Sequence, residues 1–131
     1  MADAVTSQLI VDGPRRAVMK FTNISDGTGE SAVLKVDVSA LAAGPNGAVC
    51  TGVKIRSVKY DIQGMKVNIM WDATTDVPAL VLGGFGKQDF YKLGNIPNNA
   101  GTGKTGDINF STIGAGANST YTIELDMVKA Y

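Results

Sequence analysis

Apolar residues recur at every second position along most of this 131-residue chain. That period constrains the fold more than any other feature, because side chains two apart share a face of a pleated strand but not of a helix. The clearest stretch is 65–71, where Met65, Val67, Ile69 and Trp71 share one face and Lys66 and Asn68 the other. A second runs over 120–128, with Tyr121, Ile123, Leu125 and Met127 set against Thr122, Glu124 and Asp126. One face of each predicted strand is apolar and the other wet, as antiparallel sheets require. No helical stripe of comparable length competes, so the chain reads as all-β.

Between Gly52 and Gly64 the alternation changes parity: Val53 and Ile55 belong to one set, and Val58, Tyr60 and Ile62 to the other. A slip near Arg56 and Ser57 marks either a β-bulge or a strand crossing between sheets. Weaker strand patterns cover 7–11, 17–24, 32–38, 78–82, 89–93 and 108–113. Turn chemistry separates them at Asp12-Gly13-Pro14, Asp26-Gly27, Gly83-Gly84 and Gly114-Ala115-Gly116. About eight or nine short strands at this spacing predict a single-domain antiparallel β-sandwich, jelly-roll-like, or a barrel. The only helix-like piece is 39–43, with Ser39 placed to cap one turn. No internal repeat or composition shift divides the chain, so residues 1–131 form one β domain. Residues 1–14 read either as an extended N-terminal arm or as the domain's own first strand.

A chain of this size buries roughly 68% of the surface its unfolded form exposes, enough for a core without staples. Cys50, the single cysteine, has no intramolecular partner, which implies a reducing compartment or a buried inert thiol. Trp71, at the end of an apolar strand face, is expected in the core. Lys20, Lys35, Lys54, Lys59 and Lys66 lie on strand patterns and read as wet-face lysines.

The absence of histidine excludes Ser-His-Asp and Cys-His nucleophile systems and every His-containing metal site within this chain. Twelve basic and twelve acidic residues give no net field for nucleic acid or for a membrane surface. The N-terminus carries Asp3 where a secretion signal needs positive charge, and no run approaches the ~20 apolar residues of a membrane helix. The expectation is a soluble protein made in a cytoplasm, with no catalytic residues and no cofactor. Gly101-Thr102-Gly103-Lys104-Thr105-Gly106 matches a dinucleotide fingerprint in letters, but a strand pattern rather than a helix follows it. The stretch Gly94 to Gly106 is either a binding loop or a solvated connection. Asp72 with Asp76, and Asp26 with Glu30, are oxygen-bearing pairs without calcium-loop spacing, and turn stabilisation is the simpler reading.

Several segments carry a resemblance. They are 18–31 (VMKFTNISDGTGES), 35–41 (KVDVSAL), 71–74 (WDAT), 106–112 (GDINFST) and 124–131 (ELDMVKAY). In these the chain resembles small virion structural proteins of tailed bacteriophages, particularly marine and cyanobacterial ones. The resemblance implies a capsid decoration or cement protein located in the virion. Such a β-rich subunit binds the outside of the shell, bridges neighbouring major capsid proteins and forms a homo-oligomer, with a trimer expected at three-fold positions. It implies no catalytic residues, no nucleic acid and no membrane. The candidate contact residues are Val5, Leu9, Ile10 and Val11, as an arm adding a strand to a neighbouring sheet, with Arg15 and Arg16 facing acidic capsid surface. Two other classes stay open: a self-assembling virion subunit (coat, tail-tube or head-tail joining protein) and a carbohydrate-binding β module.

Overall fold

The computed structural model describes residues 4–27, 29–44 and 47–130. Among the described residues seven strands are formed: β1 (Ala4–Asp12), β2 (Arg16–Asp26), β3 (Val33–Val36), β4 (Gly52–Trp71), β5 (Val77–Asp89), β6 (Ile108–Ile113) and β7 (Ala117–Ala130). Every pairing is antiparallel.

The long strand β4 organises the rest. Its first part, as far as Gln63, pairs with β7, whereas Lys66–Trp71 pairs with β6, and β5 follows the opposite edge along both parts. Two layers result, β1-β2-β7-β4-β5 and β3-β6-β4-β5, joined by a shared hairpin. They face each other across an aromatic contact. Phe110 of β6 meets Phe21 of β2 edge-on at 5.0 Å between ring centroids and Tyr121 of β7 at 5.9 Å. The antiparallel all-β sandwich or barrel expected from the alternation is therefore the fold.

Parity along β4 explains how one strand serves both layers. Val53 and Ile55 are buried, then Val58 and Ile62, then Met65, Val67, Ile69 and Trp71. The first change is the predicted slip, a register shift between Ile55 and Ser57 against β7. The second falls at Gly64, where φ is +79° and the chain crosses from one layer to the other. A Cβ there would lie 2.7 Å from Ser119 Oγ. That hydroxyl donates to the Gly64 carbonyl at 3.2 Å, so a glycine lets β4 bend tightly against β7.

Fewer, longer strands form than the eight or nine expected, because β4 and β5 each run through what the sequence pattern divides. Of the predicted strand 89–93 only Asp89 lies in a strand, as the last residue of β5. Phe90 N–H donates to Arg56 O at 2.8 Å, and a 3-10 turn follows at Tyr91–Leu93, closed by Gly94 at φ +82°. The turn at Val38–Ala40 is likewise 3-10, and its cap is Asp37, whose carboxylate accepts from Ser39 N–H; Ser39 is not the capping residue. Trp71 is fully buried and Cys50 is buried with its thiol on Gly52 O at 3.2 Å. The 94–106 stretch is laid along the body: Ile55 and Ile96 exchange both backbone hydrogen bonds, and Thr74 N–H donates to Thr102 O.

Candidate functional site

β1 is the outermost strand of its layer and, among the described residues, pairs only with β2. Residues 4–12 are thus part of the sheet, not a free arm. Every residue from Val5 to Val11 is nevertheless exposed, on both faces. Val5, Ser7 and Leu9 pair with Asn23, Phe21 and Met19 and point toward the second layer, but the core ends at β2 and does not cover them. Val5, Leu9, Ile10 and Val11 keep 44, 43, 48 and 39% of their surface. The outer edge offers unpaired backbone donors and acceptors, and no charge or proline between Val5 and Val11 guards it. A register shift between Leu9 and Val11 puts a bulge at Ile10, the one edge-blunting device present.

The C-terminal end of β1 is held firmly. Lys129 continues the core-facing parity of β7 and is fully buried, with its ammonium on the Asp12 carboxylate and on Ala42 O at 3.0 Å. Both Asp12 oxygens also accept from Ala42 N–H at 3.0 Å. Burial pushes the Asp12 carboxyl up, but the Lys129 ammonium and the Ala42 amide outweigh it and hold its pKa below the ordinary value. A depressed carboxylate contributes stability above its unfolded pKa, and that contribution is lost as pH falls through the folded value. Asp12→Asn is therefore expected to destabilise the protein at neutral pH and to approach wild-type behaviour in strong acid. Denaturant midpoints of both proteins across that range check this; a gap that widens toward acid would contradict it.

Arg15 and Arg16 do not act as a pair. Arg16 donates to Asp126 through Nε and Nη2 at 2.8 and 2.7 Å, with Arg56 3.6 Å from the same carboxylate. This ion pair holds β2 to β7, while half of the Arg16 side chain stays exposed. Arg15 is exposed and remains a candidate contact.

The other constellations resolve into structural roles. Asn109 Nδ2 donates to Asp72 at 2.9 Å and to Asp76 at 3.1 Å, and Thr105 Oγ1 donates to Asp72 at 2.7 Å. Both carboxylates thus tie loops to β6. Among the described residues no three His, Cys, Asp or Glu side chains gather for a metal, and no helix is long and apolar enough to cross a membrane. The glycines of 101–106 serve close packing, Gly103 against Thr74 and Gly106 against Thr51. Beneath this loop lies a hollow of about 380 Å³ bordered by Thr51, Lys54, Asn98 and Lys104.

One cluster was invisible to alternation. Lys35 is not a wet-face lysine: its ammonium lies 2.6 Å from Glu30 Oε2, and both side chains are only 4% exposed. Glu30 Oε1 accepts from Asn23 Nδ2 at 2.9 Å and from the Tyr121 hydroxyl. The cause is a register shift between Leu34 and Val36 against β6. It turns Lys35 inward beside Val36, and a one-residue irregularity of this kind leaves no mark on the sequence.

No family model matches the chain, and no curated protein matches it. Among solved structures, a cupin superfamily protein from Desulfitobacterium hafniense DCB-2 is similar over 100% of this chain and 82% of its own, with 14% identity and a TM-score of 0.39. A likeness of that size carries no argument about what this chain binds.

Proposed function

We propose that this protein is a non-catalytic structural subunit of a bacteriophage virion. In this reading it is a decoration protein that docks on the outer shell through the open edge of β1 and bridges neighbouring major capsid proteins. The observation that supports the docking mode is β1 itself: paired on one edge, uncharged from Val5 to Val11 and exposed on both faces. Such an edge is suited to accept a partner strand, with backbone hydrogen bonds giving affinity and Val5, Leu9, Ile10 and Val11 giving apolar contact. The virion assignment rests on the resemblance of the segments quoted above. A subunit that binds only the finished shell stabilises it by mass action, and many symmetric copies multiply a modest contact energy.

Ile10→Lys places a charge on the bulged edge while leaving the β1–β2 register intact, and is expected to abolish co-sedimentation with capsids at unchanged thermal stability. Retained capsid binding by the variant would remove β1 from the interface. Absence of binding by the wild type would remove the decoration reading.

A second reading is favoured by the far side of the same layer. The β5 segment 83–89 is exposed throughout, with Phe85 at 80%, and pairs only with β4. Two open edges on opposite sides of one sheet permit head-to-tail joining of copies into rings or tubes. A self-assembling coat or tail-tube subunit would then grow as pure protein, whereas a decoration protein keeps a small native mass at all concentrations.

A further inference from the structure

We propose that Lys35 and Asn23 condense within the folded chain into an isopeptide bond, with Glu30 moving the proton. The inference is independent of the virion reading. Asn23 stands on β2 in the first layer, Lys35 on β3 in the second, and Glu30 in the segment that joins them. One carboxylate holds both reactants: Lys35 Nζ is 2.6 Å from Oε2, and Asn23 Nδ2 is 2.9 Å from Oε1. Glu30 is fixed in turn by β6, since its N–H donates to Thr112 Oγ1 at 2.8 Å and its carbonyl accepts from Thr112 N–H at 2.9 Å.

The surroundings suit aminolysis of an amide. Asn23 is 1% exposed, Phe21 precedes it on the same strand face and Tyr121 pairs with it on β7. Phe110 closes over Phe21 and Tyr121. Water, the competing nucleophile, is excluded, and the fold holds the reactants together, as intramolecular reactions exploit. The steps balance without a co-reactant. A proton passes from Lys35 to Glu30, leaving a neutral amine and a carboxylic acid, the forms that burial penalises least. The amine nitrogen attacks Asn23 Cγ and gives a tetrahedral intermediate. Glu30 returns its proton to Nδ2 and takes the second proton from Nζ, the Cγ–Nδ2 bond breaks, ammonia leaves with the nitrogen, and Glu30 ends as a neutral carboxylic acid. One Nζ–Cγ bond is formed, one Cγ–Nδ2 bond is lost, and nothing is oxidised or reduced.

The energetics point the same way. A buried ion pair recovers its desolvation cost poorly, whereas the product is a neutral amide between the two layers. With a single cysteine the chain cannot form an internal disulfide; an isopeptide gives it a covalent tie insensitive to redox conditions.

The test is the intact mass and peptide map of the purified full chain after prolonged incubation in the folded state. The expected mass is the sequence mass less one ammonia. Trypsin should fail to cut after Lys35, giving a peptide of residues 21–54 in which no backbone fragments arise from between Asn23 and Lys35. Succinimide formation at Asn46-Gly47 also expels ammonia, but hydroxylamine opens that ring and leaves the isopeptide intact. Glu30→Gln should restore the full mass and the cut after Lys35, with complete loss of the looped peptide. Asn23→Asp should lose water instead and arrive at the same product mass, which keeps the test decisive if the Glu30 variant does not fold. Full sequence mass with normal cleavage after Lys35 in the folded wild type would overturn the proposal.

Discussion

Phe110→Ala is expected to lower the unfolding free energy by about 3–5 kcal/mol, the range for deleting a fully buried phenylalanine. The ring sits where the two layers meet, edge-on to Phe21 and Tyr121. Its removal costs the transfer term of the ring, two aromatic contacts and a cavity. Relaxation cannot fill that cavity, because the neighbouring Ile69 and Ile108 belong to strands pinned by ladder hydrogen bonds. Equilibrium denaturation should show a lower midpoint at an unchanged slope. Val81→Ala is the matched control: Val81 is 60% exposed on β5, and its truncation should stay within about 0.5 kcal/mol. A Phe110 loss no larger than the control's would mean that the two layers do not pack through this ring.

Gly106→Ala should be the most damaging single methyl in the molecule, costing about 2–5 kcal/mol from left-handed strain and overpacking together. Gly106 has φ +88°, and a Cβ would lie 2.1 Å from Thr51 O and 3.0 Å from its carbon. Those are backbone atoms held in place, since Thr51 N–H donates to Ala130 O at 2.9 Å. On the other side Asp72 N–H donates to Asp107 O and Thr105 N–H to Asp72 O, so the loop cannot swing away either. Gly101→Ala, which meets nothing within 4 Å, should be close to neutral by the same thermal-unfolding measurement. Equal melting temperatures for the two variants would refute the close approach.

These positions also show what the sequence could and could not disclose. Alternation over 65–71 and 120–128 identified two strands and their buried faces, with Trp71 among them, because a two-residue period reports which side of a strand is apolar. The same parity, carried one step past Met127, reaches Lys129 on the core side, a legible but easily overlooked sign of a buried cation. Period says nothing about partners, however. That β4 pairs with β7 before Gly64 and with β6 after Met65 depends on contacts between residues far apart in the chain, and so does the division into two layers. The ion pair of Arg16 was not legible because Asp126 lies at the other end of the sequence. Lys35 was misplaced for a different reason: a bulge reverses the face rule locally, and the residues around it carry no unusual composition. The apolar character of β1 was plain in the letters. Whether it was core or edge was not, since Val5 to Val11 read the same in either setting.

The position of β7 in its sheet bears on how the chain acquires its shape. β7 stands between β2 and β4 and supplies hydrogen bonds to both, yet it comes after every other strand in chain order. A ribosome must therefore complete residues 117–130 before β2 can meet its inner neighbour, and a loop spanning most of the chain must close for Arg16 to reach Val128. Topologies dominated by such distant pairings fold in roughly milliseconds to seconds, not microseconds. Throughout that interval the β1–β2 hairpin is open on both edges, so the yield of native protein is set by a race between docking of β7 and sticking to another nascent hairpin.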